Sequence, residues 1–349
     1  MNAIREEVKQ SACALLGQAP EHVEQIKGGG NNICLKVRAG DRLVLAKKYF
    51  IHEQDQRDRL GAEFSMLSFL WQNGIRCVPE PLAKDNEKRI AFYEFIIGSR
   101  PTAGKIDKQD VERLCDLLGE MWRLKNRPGT ESLPAGSDAS FAIQDYIDCI
   151  QARLDAVQQC AASGEALPAF REFVKKQMAP MFERLMKYID SESSRYGLDP
   201  ALELTKEERT LNPADHGFHN AIRRKDGSLV FIDFEYAGWD DPAQMICNAC
   251  LQPEVPIPSP LLNPFLREII KRVEGNESLL RRLRIAYPLL AFKWCLIMLN
   301  EFLPVSSDRR QFAGTDPESR QTAQLAKSRK QLGKAKAFLK DAGLFDNVL

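Results

Sequence analysis

Three residues restrict this 349-residue chain more than any others: Asp215, Asn220 five positions later, and Asp233 thirteen beyond that. Between the last two, Ala221-Ile222 and the apolar run Leu229-Val230-Phe231-Ile232 flank the turn sequence Arg224-Lys225-Asp226-Gly227-Ser228. A Lys-Asp-Gly turn folds two short strands back on each other, and that reversal brings Asn220 and Asp233 close together. Asp233, read as embedded in the second strand among Phe231, Ile232 and Phe234, carries a desolvation cost unless a cation or a donor meets it. Two carboxylates and a carboxamide supply hard oxygen donors, the ligands a magnesium ion takes while keeping other positions for phosphates and water. The arrangement suits phosphoryl transfer, which needs metal ions on the phosphates, an oriented acceptor hydroxyl and charge neutralisation more than covalent help.

The order Asp, four residues, Asn, then a later Asp is that of the protein-kinase template. With Ile232-Asp233-Phe234-Glu235-Tyr236-Ala237-Gly238 and then Asp241-Pro242, the chain resembles the aminoglycoside phosphotransferase and choline kinase superfamily. The catalytic loop of that family usually reads His-Gly-Asp-x-x-x-x-Asn. The resemblance spans roughly residues 20 to 250 and is strongest over 211 to 242. It implies an α+β, two-lobed protein-kinase-like fold: a small antiparallel sheet plus one helix over residues 1–98, and a mainly helical lobe over 99–349. ATP would lie between the lobes. Asp215 would be the catalytic base or hydroxyl-positioning residue, Asn220 and Asp233 the Mg²⁺ ligands, and a hydroxyl of a sugar, amino alcohol or aminoglycoside-like molecule the acceptor. Pro213 and Ala214 stand where the family has His and Gly, with His216 and His219 the candidates to replace that support. This departure leaves a second class open, a nucleotide-binding regulator that keeps the shape without transfer. A protein kinase is disfavoured, because the His-Arg-Asp and Ala-Pro-Glu signatures are missing.

A nucleotide clamp is expected upstream. Gly28-Gly29-Gly30-Asn31 precedes the plausible strand Ile33-Cys34-Leu35-Lys36-Val37, and glycines let a backbone approach phosphates closely, although the run does not match Gly-x-Gly-x-x-Gly. Arg42 to Phe50 alternates as a half-buried strand, with Leu45, Lys47 and Tyr49 on one face and Ala46, Lys48 and Phe50 on the other. Pattern alone leaves either lysine facing the cleft; alignment with the family favours Lys47 and an Ala-x-Lys spacing favours Lys48. Lys47 is the expected phosphate-facing residue. Asp58 to Trp71 has helical spacing, with Leu60, Phe64 and Leu67 on one side and Glu63 at its border, where a kinase-like fold pairs such an acid with the strand lysine. Val78-Pro79-Glu80-Pro81 reads as a stiff extended connection, and Arg89 to Gly98 as an edge strand entering a hinge, where backbone groups of Glu94 and Ile96 would meet an adenine.

A chain of this length exceeds the usual single-core size, which agrees with two lobes. Its net charge of +1 argues against a nucleic-acid binder or an acidic tail protein. Of nine cysteines only Cys247-x-x-Cys250 resembles a metal or redox pair, and no second pair or suitable His completes a zinc set, so helix packing is the expectation. With no hydrophobic leader, and with Leu289 to Leu299 short and interrupted by Lys293, a cytoplasmic protein with reduced thiols is expected.

The rest reads as helical. Stripes run through Asp107 to Lys125, Phe141 to Val157, Ala169 to Ile189 with a kink at Pro180, Leu279 to Leu303, and Ala323 to Leu339. Pro253 to Pro264 reads as a loop. Glu235, Asp240 and Asp241 lie near the site as acids that would favour a cationic acceptor, although Asp241-Pro242 also has the form of a helix cap.

Overall fold

The computed structural model describes residues 1–26, 31–53, 55, 57–160, 166–312, 318–346 and 348. Helix α1 (Asn2–Leu16) leads into β1 (His22–Gln25), β2 (Ile33–Ala39) and β3 (Arg42–Lys48); α2 (Arg59–Gln72) then precedes β4 (Pro81–Asp85) and β5 (Ile90–Glu94). The strands form one antiparallel sheet in the order β1-β2-β3-β5-β4, with Lys47 opposite Cys34 on one side and Ala91 on the other. Strand alternation gives the sheet two apolar faces. Ile33, Leu35, Val37, Val44, Ala46, Ile90 and Phe92 form a small core that Val8 and Ala12 of α1 cover. The opposite face carries Tyr49, Ala91 and Tyr93 against Leu60, Leu67 and Leu70 of α2. Asp58 caps α2, its side chain accepting from Gly61 N.

One helix was expected beside the sheet, and there are two. Helix α1 left little trace in the sequence, because only Val8, Ser11 and Ala12 are buried along its 15 residues and no side chain caps its start.

Past Gly98 the chain enters the helical part through α3 (Lys108–Leu124), α4 (Ile143–Gln158), α5 (Leu167–Phe173) and α6 (Ala179–Tyr196). Two short antiparallel pairs follow: β6 (Thr210–Asn212) pairs with β9 (Gly238–Asp240), and β7 (Ala221–Arg223) with β8 (Leu229–Phe231). Then come α7 (Pro242–Leu251), α8 (Ser259–Arg272), α9 (Glu277–Leu299), α10 (Pro304–Phe312) and α11 (Glu318–Phe338). Gly98 is required where it lies, since a Cβ there would meet Arg223 O at 2.2 Å while Ser99 and Arg223 exchange backbone bonds of 3.1 and 2.8 Å. Arg223 in turn forks onto Asp110 at 2.8 and 2.7 Å, and Asp110 also closes a reciprocal cap with Asp107 at the start of α3. The hairpin of the site is thereby tied to the first helix of the second lobe.

Pro180 lies in the first turn of α6, directly after a π-helical turn over Val174–Met178 that joins α5 to α6. The loop expected over Pro253 to Pro264 ends at Pro258, since Pro260 sits in the first turn of α8, where no intrahelical donor is needed, and Pro264 lies inside the helix. The apolar run around Leu289 to Leu299 belongs to a longer segment, Glu277–Phe302, which is long and apolar enough to cross a membrane; 78% of its apolar window is buried in the protein, making it the central core helix. Its Leu283, Leu289, Leu290, Phe292, Leu296 and Leu299 are fully sealed, each contributing about 1.5–3 kcal/mol by the area rule. Cys247 and Cys250 pack as free buried thiols in α7.

Candidate active site

Strand β6 delivers the loop that carries Asp215. At its end Asn212 donates to Asp240 Oδ2 at 2.7 Å and accepts from Ala214 N at 2.9 Å, while Asn248 of α7 donates to Ala214 O at 3.3 Å. Ala214 has φ 65°, in the left-handed region that a glycine enters freely and an alanine only under strain. The upstream support for this loop therefore comes from two asparagines. His216 is buried with Nε2 3.0 Å from Met245 O, and burial pushes its pKa down to about 4, so the ring is neutral near pH 7. His219 is the histidine that meets the Asp215 carboxylate, with Nε2 3.1 Å from Oδ1. Asn220 commits its amide nitrogen to Asp215, at 2.9 Å from the backbone O and 3.3 Å from Oδ2, which leaves its amide oxygen as the atom for a cation.

The β7–β8 hairpin then closes the geometry. Ile232 N donates to Asn220 O at 2.8 Å, fixing the loop against the segment that holds Asp233. Asp233 is not embedded in a strand. Strand β8 ends at Phe231, and Asp233 has φ 70°. That left-handed turn costs about 1–3 kcal/mol in a non-glycine residue, and it aims Phe234 N at Glu63 Oε1, 3.2 Å away.

Lys47 lies at the centre of a cluster of three acids. Its Nζ is 2.6 Å from Glu63 Oε2, 2.6 Å from Asp233 Oδ1 and 3.7 Å from Glu235 Oε2, with 7% of the side chain exposed. Burial alone would discharge this lysine, but Asp233, Glu63 and Glu235 outweigh it and hold the ammonium well above the usual lysine range. Glu63 is raised, chiefly by its burial against the pull of Lys47. Tyr49 fixes Glu63 from the other side with a 2.6 Å hydrogen bond and is itself 2.7 Å from the Tyr93 hydroxyl. Lys48 points the other way, onto Glu7 of α1 at 2.7 Å and Lys88 O at 2.7 Å, which settles the choice left open by strand alternation.

Glu235 is a member of the site that the spacing argument did not single out. It is two residues beyond Asp233 and fully buried; Asn31 donates to its Oε1 at 2.8 Å and Asn32 to its Oε2. Asn32 also accepts from Phe50 N at 3.1 Å. The segment after the glycine run is thus joined to the segment after Asp233. Asp240 and Asp241 lie outside the cleft. Asp240 accepts from Ser140 N, Asp241 N, Asn212 and Gln244, while Asp241 caps α7 through Ala243 N and takes Tyr146 and Arg282.

Asn31, Lys47, Glu63, Glu94, Ile96, Asp215, Asn220 and Asp233 all line one cleft of about 530 Å³. The expected phosphate-loop residues Gly28, Gly29 and Gly30 lie outside the described residues. At the expected hinge the Glu94 N–H donates to Glu80 O at 2.8 Å, so that group is not the one offered to a base, and the Glu94 carboxylate takes Arg224 at 2.9 Å. Trp294, Met298 and Gln324 show that α9 and α11, which carry no recognisable motif, also wall the cleft.

Comparison with known proteins agrees with this geometry. No curated protein matches the chain. Among solved structures it resembles choline kinase LicA from Streptococcus pneumoniae, with 15% identity, a TM-score of 0.61 and coverage of 95% of this chain and 99% of that one. It also resembles the spectinomycin phosphotransferase APH(9)-Ia solved with ADP and spectinomycin, with 11% identity, a TM-score of 0.61 and coverage of 94% and 98%. A third, macrolide 2'-phosphotransferase type I, has 13% identity, a TM-score of 0.55 and coverage of 93% and 97%. At such identities the likeness establishes the fold, a protein-kinase-like one. Residues 22–274 match the family described as the phosphotransferase enzyme family. That match takes in most of the chain, including the sheet, the Asp215 loop and Asp233, and this protein belongs to the phosphotransferase enzyme family.

Proposed function

We propose that this protein transfers the γ-phosphoryl group of ATP to a hydroxyl of a small molecule, with Asp215 as the group that orients the hydroxyl and takes its proton. The observation that carries the reading is the position of Lys47, 2.6 Å from both Glu63 and Asp233, in the same cleft as Asp215 and Asn220. A cation at this spot faces phosphates, and a kinase needs that lysine–glutamate pair intact. Asn31 and Ile96 also line the cleft, Ile96 at the hinge where a nucleotide base would rest. The structural neighbours named as choline kinase and spectinomycin phosphotransferase support a small hydroxylated acceptor, and the ADP in the second supports a nucleotide donor.

The donor set fits Mg²⁺. Asp233 Oδ1 is taken by Lys47, so Oδ2 and the Asn220 amide oxygen are the atoms that would hold the ion. When bound, Mg²⁺ neutralises charge on the phosphate oxygens. Asp215 keeps 34% of its side chain exposed, enough to reach an incoming hydroxyl, and His219 and Asn220 fix its orientation. The hydroxyl oxygen bonds to the γ-phosphorus as the bond to the β,γ-bridging oxygen breaks. Its proton passes to Asp215, and ADP leaves with the electron pair of the broken bond. Lys47 stays charged throughout and braces the phosphates from the sheet side.

The test is acceptor-dependent release of ADP from Mg-ATP across a panel of alcohols. Asp215→Ala should lower turnover by about 10² to 10⁴ while leaving ATP affinity within about twofold. Turnover equal to the wild type would remove Asp215 from its role, and nucleotide binding without any acceptor-dependent ADP release would favour a regulator.

A further inference from the structure

A second cavity, of about 440 Å³, adjoins the cleft at Asp215; Asn31, Asp215, Trp294 and Ile297 line both spaces. Lys47 and Asp233 line only the first, so a hydroxyl held in the second would meet Asp215 from outside the space proposed for the phosphates. Its wall carries four cations, Arg57, Arg153, Lys293 and Arg309. Of its three carboxylates, Asp215 addresses the hydroxyl and the other two are already committed. Asp55 takes Arg57 at 2.7 and 3.1 Å and also Arg59; Asp138 takes Arg153 and lies 3.5 Å from Lys293. Asp138 stands between two cations, so the Arg153–Lys293 pair keeps an excess positive charge, whereas Arg59 also faces Glu235.

Lys293 is the sharpest part of this wall. It projects from the core helix α9 with 6% of the residue exposed, and its contacts, to Asp138 O and Oδ2, are both 3.5 Å, the outer limit of a hydrogen bond. A buried ammonium held so loosely is costly unless another anion meets it. Among the described residues of this wall, no uncommitted carboxylate but Asp215 is offered to a cationic acceptor. Glu235, Asp240 and Asp241 are engaged elsewhere, and the Tyr236 ring that might face a quaternary amine is already covered by Arg57 at 5.6 Å and Arg59 at 5.7 Å.

We infer that the acceptor is a hydroxylated small molecule bearing an anionic group, carboxylate or phosphate, which Lys293 and Arg153 bind in this second cavity. That the ligand is the acceptor rests on the phosphotransferase reading; that the cavity binds an anion does not. Neutral Ser137, Gln244 and Asn248 in the same wall offer hydrogen bonds to further hydroxyls.

The experiment uses the full chain and matched alcohols that share a short scaffold: ethanolamine and choline as cations, ethylene glycol and glycerol as neutral members, glycolate and D-glycerate as carboxylates, glycerol 3-phosphate as the phosphate. Acceptor-dependent ADP release is expected to be fastest with anionic members, the carboxylate and phosphate arms showing which anion is preferred. Lys293→Met and, as a second variant, Arg153→Gln should each raise KM for those acceptors about tenfold or more. Equal or better turnover of cationic or neutral members overturns the inference. If no alcohol is turned over, calorimetry with inorganic phosphate, after Mg-ADP has saturated the nucleotide cleft, decides. Binding by wild type that weakens about tenfold in either variant upholds the anion site while the phosphotransferase reading fails. No binding, or binding unchanged in both variants, overturns the site itself.

Discussion

Lys47 sits with 7% of its side chain exposed among three carboxylates, whereas Asp215 keeps 34% exposed and meets a histidine nitrogen and the Asn220 amide. The first region is held by charge. Glu63, Asp233 and Glu235 present oxygens within 4.8 Å of one another, an arrangement that only a cation among them makes tolerable. The second is held by backbone and neutral groups: Asn212 and Asn248 on Ala214, and Ile232 N on Asn220 O. On the proposed function the phosphate side is thus pre-set by electrostatics, while the hydroxyl side is positioned by hydrogen-bonded backbone and stays open to an incoming molecule. The two halves should then fail differently.

The largest effect is expected from Lys47→Met. It leaves three carboxylates facing each other, and breaking such a buried arrangement costs about 3–5 kcal/mol. Because burial already raises the Glu63 carboxyl, its protonation relieves that repulsion, so the loss measured by urea unfolding should shrink as pH is lowered from neutrality. A loss that is independent of pH would mean that packing, and not charge, holds this region.

Next comes the neutral side. His216 has a folded pKa of about 4 against 6.5 when unfolded, so between those values the unfolded chain binds more protons and stability falls as pH falls. His216→Gln removes that loss. Measured against wild type, the variant should gain up to about 3 kcal/mol between pH 6.5 and pH 4. Asp240, pushed up to about 6 by burial, acts in the opposite sense over part of that range, but it is common to both proteins and cancels in the difference. A constant difference across the range would show that His216 is not neutral in the fold.

The smallest effect belongs to Ala214→Gly. Relief of the left-handed strain, less the added freedom of glycine in the unfolded chain, should stabilise by about 0.5–1 kcal/mol in denaturant unfolding. A loss of stability would mean that the alanine methyl contributes packing that outweighs the strain.

Much of this site was legible because its chemistry is local. Asp215, Asn220 and Asp233 lie within one loop and hairpin, and the turn between them dictates their approach. Lys47 and Glu63 were legible as a pair, but Lys47 was preferred to Lys48 by resemblance alone and not by pattern, because the pattern omits α1: Lys48 is drawn to Glu7 of a helix that buries too few residues to leave a stripe. Helix α8 was hidden by its own prolines. The support of Ala214 was illegible for another reason, since Asn212 gains its role only when β6 pairs with β9 and brings Asp240 to it. The same holds for the basic cavity, whose Arg57, Arg153, Lys293 and Arg309 come from four distant stretches of chain with no shared motif.

The most direct measurement is a crystal structure of the full chain with Mg²⁺ and a non-hydrolysable ATP analogue. The metal is expected on Asp233 and the Asn220 amide oxygen, Lys47 against the phosphates, and the terminal phosphate turned toward Asp215. A nucleotide bound outside this cleft, or a terminal phosphate turned away from Asp215, would contradict this arrangement.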